Sequence, residues 1–344
     1  RRKPSARIKG GEEAFRPHSK SQGMMRLTSL ALATAISLAG CSGFGTAPQS
    51  VVPQAASSPT RLAPAAKHPR QTLYVLVNNG TYASYVALYD AYAKNPTMIG
   101  KITNGLANPG AIWTDSKGDV FVGNDMTYTS SVTEYAPRTY KLIQTYTNAI
   151  DLPFGGMVDS KGTMYVSVAG VKGQTEGGIA VFPPGKTSPS TILTAGVYVP
   201  HGLAKDSAGH LFLAQIYGSQ SSVIEFPKAA NKSKVLPLND LNTGAFLEDL
   251  KLDAHNDVVV ADAELNSVRF YPPPYKKESM ALDSGVSTPT ALAYGADGTL
   301  FVGDEYAGAN GNVVVFPPGA TQPTVRITDG ITGGVLGVAV SPAK

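Results

Sequence analysis

A turn built on Asp and Gly recurs six times along this chain at nearly constant spacing. The copies are Asp115-Ser-Lys-Gly118, Asp159-Ser-Lys-Gly162, Asp206-Ser-Ala-Gly209, Asp253-Ala-His-Asn256, Gly295-Ala-Asp-Gly298 and Ser341-Pro-Ala-Lys344. From one copy to the next the steps are 44, 47, 47, 42 and 46 residues. Self-similarity at that period means a repeat architecture, in which each unit buries its apolar faces against its neighbours.

Short apolar runs flank every turn. Before it stand Ala111-Ile-Trp-Thr, Gly156-Met-Val, Gly202-Leu-Ala-Lys, Leu250-Lys-Leu and Ala291-Leu-Ala-Tyr. After it come Val120-Phe-Val-Gly, Met164-Tyr-Val-Ser, Leu211-Phe-Leu-Ala, Val258-Val-Val-Ala and Leu300-Phe-Val-Gly. β-Branched and aromatic runs bounded by turn residues read as strands. The turn needs a residue that tolerates positive φ, hence Gly, with Asn256 as the substitute in the fourth copy. A third strand ends on an aromatic in each unit: Tyr89, Tyr135, Phe182, Phe226, Tyr271 and Phe316. Five of these run into Pro137, Pro183, Pro227, Pro272 or Pro317, where a missing N–H at a strand end costs little. A weaker fourth strand follows, as in Ser190-Thr-Ile-Leu-Thr. The expected fold is all-β: a six-bladed β-propeller of four-stranded blades.

The phase of the repeat predicts how the ring closes. The domain opens at Thr72-Leu-Tyr-Val-Leu-Val, a second strand with no first strand before it. It ends at Gly337-Val-Ala-Val-Ser341, a first strand with no second strand after it. The C-terminal strand is therefore expected to pair with the N-terminal strands, hiding edges that an open array would expose.

The net charge of +4 is unevenly placed. Residues 1–70 hold 11 Lys/Arg and 2 Asp/Glu, a net of +9; residues 71–344 hold the other 18 and 23, a net of −5. The basic balance belongs to the leader, which argues against nucleic acid as a partner of the folded domain. Arg26, the apolar run Leu27 to Leu38 and the small residues before Cys41 form a secretory signal, too short to span a bilayer. Cys41 is the single cysteine, so no intramolecular disulfide forms. The expected organisation is an upstream extension over 1–23, a signal peptide over 24–40, a Cys41-initiated tether rich in Ala, Pro and Ser over 41–70, and the propeller over 71–344.

Leu38-Ala-Gly-Cys41 resembles the bacterial lipobox, whose Cys is lipidated. That resemblance implies attachment to a membrane through Cys41 on the extracytoplasmic side of a bacterial envelope. Val260-Ala-Asp-Ala-Glu-Leu-Asn-Ser-Val-Arg269 and Pro200-His-Gly-Leu-Ala-Lys-Asp206 resemble NHL repeats. Propellers of that texture include gluconolactonase- and SMP-30-like enzymes, streptogramin lyases, and many modules that only bind partners. Fold does not choose among them.

Candidate chemistry gathers at one end of the ring. The loop before each first strand and the loop after each second strand share a face. The residues expected to point into that mouth are Gly110, Phe154, His201, Glu248, Thr290 and Leu336. The second strands end at Asn124, Val168, Gln215, Asp262 and Asp304. His201, Glu248, Asp249, Thr290, Asn124 and Gln215 are candidate ligand contacts. Glu248, Asp249, Asp262 and Asp304 are candidate oxygen ligands, a set suited to Ca²⁺ or Mg²⁺ rather than zinc. Asp and Asn at strand ends also commonly cap loops, so that role stands beside the functional one. Of the five His, only His201 falls at the mouth, which leaves a multi-His zinc site without ligands. The resemblance to streptogramin lyases implies a His with Glu, for which His201 and Glu248 are the counterparts. No Gly-x-Ser-x-Gly elbow, P-loop or Cys-x-x-Cys pair is present.

The sequence thus predicts a monomeric, lipid-anchored propeller that binds a protein or a small molecule. A metal-assisted hydrolase or lyase at the mouth is the alternative.

Overall fold

A computed structural model of the chain describes residues 71–342, apart from 80–82, 126–129, 171–176, 219, 240, 242–243 and 306–309. The leader, the lipobox and Cys41 lie outside the described residues. Six four-stranded antiparallel sheets make up the fold. Blade 1 combines Gly334–Val340, Thr72–Asn78, Tyr85–Asp90 and Gly100–Ile102, in that order from the centre outwards. Blades 2 to 6 take four consecutive strands each and begin at Pro109–Thr114, Pro153–Val158, Val199–Lys205, Leu247–Leu252 and Pro289–Tyr294. The only helical turn among the described residues is the 3₁₀ segment Pro227–Ala229, and none is long and apolar enough to cross a membrane.

Each inner strand packs against the inner strand of the next blade, and the series returns to its start. That arrangement is the closed ring expected from the period. Apolar side chains from neighbouring sheets fill the space between blades in six clusters. The aromatics that end the third strands, Tyr89, Tyr135, Phe182, Phe226, Tyr271 and Phe316, are all fully buried in them. Close approach of the inner strands requires small residues. A Cβ on Gly156 would collide with the indole of Trp113 from the neighbouring blade, so that position has no room for a side chain.

The turns behave as their residues dictate. Gly118, Gly162, Gly209 and Gly298 take φ between 81° and 91°, and Asn256 takes 63°. Within each turn the Asp carboxylate holds the backbone: Asp115 Oδ1 accepts from Lys117 N at 2.8 Å and Asp119 N at 2.9 Å. Asp159 and Asp253 repeat the pattern.

The same geometry closes the ring without a peptide bond. Leu73 to Asn78 pair with Val340 back to Gly334. In blade 2 the hairpin is completed by Asp115 N on Asp119 O, at 3.1 Å. In blade 1 its counterpart is Ser341 N on Thr72 O, at 2.9 Å. The Ser341 hydroxyl accepts from Thr72 N at 2.8 Å, where the other turns use a carboxylate. The buried Gln71 amide adds a hydrogen bond to Ser341 O and accepts from Ala296 N of blade 6 at 2.8 Å. The first and last strands of the propeller thus form a hairpin turn with a gap in it.

Candidate functional site

Every inner strand breaks register against its second strand near its opening residue. Pro109 opposes Asn124 and Ala111 opposes Gly123, which leaves Gly110 without a partner. Phe154, Glu248, Thr290 and Leu336 are skipped in the same way, and in blade 4 the skipped pair is His201 and Gly202. A β-bulge turns the extra residue out of the sheet and re-aims its side chain. Here six bulges aim six residues at one point. Gly110, Phe154, His201, Glu248, Thr290 and Leu336 all line a single cavity of about 440 Å³ at this end of the ring.

An aromatic group and an acidic group share the cavity with aliphatic and amide side chains. The buried His201 ring stacks on Phe154, with centroids 5.2 Å apart and planes 6° apart. Phe246 meets it edge-on at 6.0 Å. His201 Nδ1 lies 3.2 Å from Glu248 Oε2. Two further carboxylates, Asp125 and Glu305, also line it, and among the described residues no Lys or Arg does. Burial pushes the Asp125 carboxyl above its ordinary value, and the nearby charge of Asp151 adds to the shift. The inner-strand lysines sit at the other end of the channel. There Lys205 pairs with Asp159 at 2.7 Å, and Lys251 holds both oxygens of Asp249.

Beside the mouth on blade 4 lies an apolar shelf. Tyr198 and Tyr217 have ring centroids 4.2 Å apart, and Tyr217 is 62% exposed. Val199 and Phe246, both exposed, link that pair to the cavity.

The remaining sequence candidates are placed elsewhere. Asn124 Oδ1 accepts from Ala107 N at 2.9 Å, and Gln215 Oε1 accepts from Tyr198 N at 3.0 Å. Asp262 Oδ1 accepts from Phe246 N and Leu265 N, at 3.1 and 3.2 Å. Asp304 accepts from Thr288 N at 2.6 Å and Ser287 N at 3.1 Å. These four buried side chains hold the loops that lead into the inner strands. Burial, the largest influence, raises the carboxyls of Asp262 and Asp304 even though their backbone donors work against it. Asp249 lies one residue past its bulge and turns into the wall, where Oδ2 accepts from Leu292 N of blade 6 at 2.8 Å.

Of the proposed oxygen ligands, therefore, only Glu248 lines the mouth. Among the described residues no three His, Cys, Asp or Glu side chains are grouped as a metal ion requires. Asp249, Asp262 and Asp304 are instead engaged by backbone N–H groups.

Sequence reasoning passed over Phe246, Asp125 and Glu305. The last two follow directly on Asn124 and Asp304. Side chains alternate along a strand, so where the strand-end residue is buried in the blade its successor can face the mouth.

No protein-family model matches the chain, and no curated protein matches it. Solved structures do share its fold. A chain in the crystal structure of a nidogen/laminin complex aligns with a TM-score of 0.63 at 13% identity, covering 80% of this chain and 99% of that one. A protein of unknown function from Bacteroides caccae aligns with a TM-score of 0.59 at 12% identity, covering 79% and 99%. At such identities the likeness is one of fold. The class defined is the six-bladed β-propeller.

The loop-holding role of Asp262 predicts a contrast between two substitutions. Asp262→Ala leaves two backbone N–H groups without their acceptor and should cost about 1–3 kcal/mol in denaturant unfolding. Asp262→Asn keeps an acceptor, removes a buried charge and should stay within about 1 kcal/mol of the parent. An Ala variant as stable as the parent would contradict the role.

Proposed function

We propose that this protein is a binding module whose ligand site is the six-bulge mouth, displayed outside the cytoplasm on a lipid-anchored, NHL-like propeller. The observation that carries the reading is the convergence of all six inner-strand bulges on one concave, aromatic-lined cavity. Concave sites with apolar walls and a few directed polar groups are where ligands bind. The exposed Tyr198–Tyr217 shelf extends the contact surface beyond the cavity. It supplies the rigid aromatic area that protein interfaces favour. A propeller of this architecture stands in a complex with laminin, so a protein partner is a role the fold can fill.

The leader supports display at a membrane: Leu38-Ala-Gly-Cys41 after a short apolar core suits acylation of Cys41. Incorporation of a fatty-acid probe in cells should be lost on Cys41→Ser; undiminished labelling would remove the anchor from the proposal.

A second reading, a hydrolase or lyase, has the His201–Glu248 pair in its favour, because a carboxylate-oriented imidazole can accept a proton. It needs further groups to hold and polarise a substrate, and Ca²⁺ or Mg²⁺ would find only Glu248 of the predicted ligand set at the mouth.

A thermal-shift screen of small molecules and peptides tests the main reading. A ligand at about 100 times its dissociation constant stabilises the fold by about 2.7 kcal/mol. Hits should lose their shift in Phe154→Ala and keep it in Lys117→Ala, on the opposite face. Hits that survive Phe154→Ala and vanish with Lys117→Ala would move the site to the lower face.

A further inference from the structure

Three carboxylates, Glu248, Asp125 and Glu305, line the mouth. A carboxylate only accepts hydrogen bonds, and Glu248 Oε2 stands 3.2 Å from His201 Nδ1. Thr290 spends its hydroxyl hydrogen on Val335 O, at 2.6 Å, and keeps only acceptor capacity. Asn108 spends an amide hydrogen on Asp125 O, at 2.9 Å. Asp125 and Glu305 add carboxylates, and among the described residues no Lys or Arg lines the cavity. The lining as described therefore carries negative charge and has aromatic walls.

A ligand must supply what the site lacks. Anions would meet like charge in a partly desolvated cleft, at a cost that grows with burial. An N–H-rich cation satisfies the acceptors, offsets the charge and is drawn to aromatic faces. We propose that the mouth recognises a planar organic cation, an amidinium or guanidinium, with N–H groups directed at Glu248 and its apolar part against Phe154 and Phe246. This inference rests on the mouth being the ligand site. The shared chemistry could arrive on a free small molecule or on an Arg side chain of a polypeptide.

Calorimetric titration of the full chain with benzamidine, benzamide and benzoate decides the matter, because the three differ mainly in charge and donor count. Benzamidine should bind about tenfold or more tightly than benzamide, and benzoate least well. Glu248→Gln should erase most of that preference, with its melting temperature checked against the parent. Phe154→Ala should weaken benzamidine and benzamide alike. A capped Gly-Arg-Gly peptide, compared with its citrulline counterpart, separates the sources. Tighter binding of the Arg peptide than of benzamidine assigns a polypeptide ligand; weaker binding assigns a small molecule. Equal binding of benzamide and benzamidine, lost in Phe154→Ala, would overturn the cation while leaving the mouth as the site. No binding of any probe at concentrations on the order of millimolar would overturn both.

Discussion

Closure of the ring is the constraint on which the rest of this molecule depends. A four-stranded sheet exposes two edges and two apolar faces, and no blade of this size is stable alone. The circle hides the faces of all six blades only if the last strand finds the first. Here that join is a noncovalent seam between Thr72–Asn78 and Gly334–Val340. It is locked by Ser341, whose hydroxyl stands in for the turn carboxylate, and by Gln71, which ties the seam to blade 6. A continuous chain would hold such a turn by connectivity. This one holds it by hydrogen bonds and by the packing of Leu73, Val75, Val338 and Val340 in one buried cluster.

The site inherits its geometry from that closure. The final strand contributes Leu336 to the mouth and the Val335 carbonyl that receives the Thr290 hydroxyl. An open seam would remove one wall and release a neighbouring residue. The bulges do the aiming. In a regular ladder, neighbouring residues alternate between the two faces of a blade, and each would pack against an adjacent sheet. Skipping one residue per blade frees it to point along the channel axis. Six such departures from regular pairing, at equivalent positions, give the fold a concave end whose chemistry varies from blade to blade without disturbing the sheets.

Much of the architecture was legible because it is periodic. The Asp-x-x-Gly turns, the aromatic third-strand ends and the phase of the termini each repeat. A pattern seen six times is robust against irregular copies, as Asn256 in place of glycine and Ser341 in place of Asp show. The mouth positions were also readable, since the residue after the opening position falls at one phase of the repeat. What those residues do was harder to read. Asp249, Asp262 and Asp304 look like ligands in a sequence because carboxylates near a mouth are few. In three dimensions they hold backbone N–H groups, and no local pattern distinguishes a loop-holding carboxylate from a free one. Phe246 gave no signal either, because it lies outside the strand period and reaches His201 only through the fold.

The closed-ring account is tested most directly by native-state hydrogen exchange of the seam amides. Strands that belong to a cooperative core exchange only through global unfolding. Amides of Leu73 to Val77 and of Val338 to Val340 should therefore be as protected as those of Val258–Asp262, a second strand in the continuous hairpin of blade 5. They should also share its dependence on denaturant. Seam amides that exchange through a separate opening, cheaper than global unfolding by about 2 kcal/mol or more and insensitive to denaturant, would show that the two chain ends part on their own and that closure does not support the mouth.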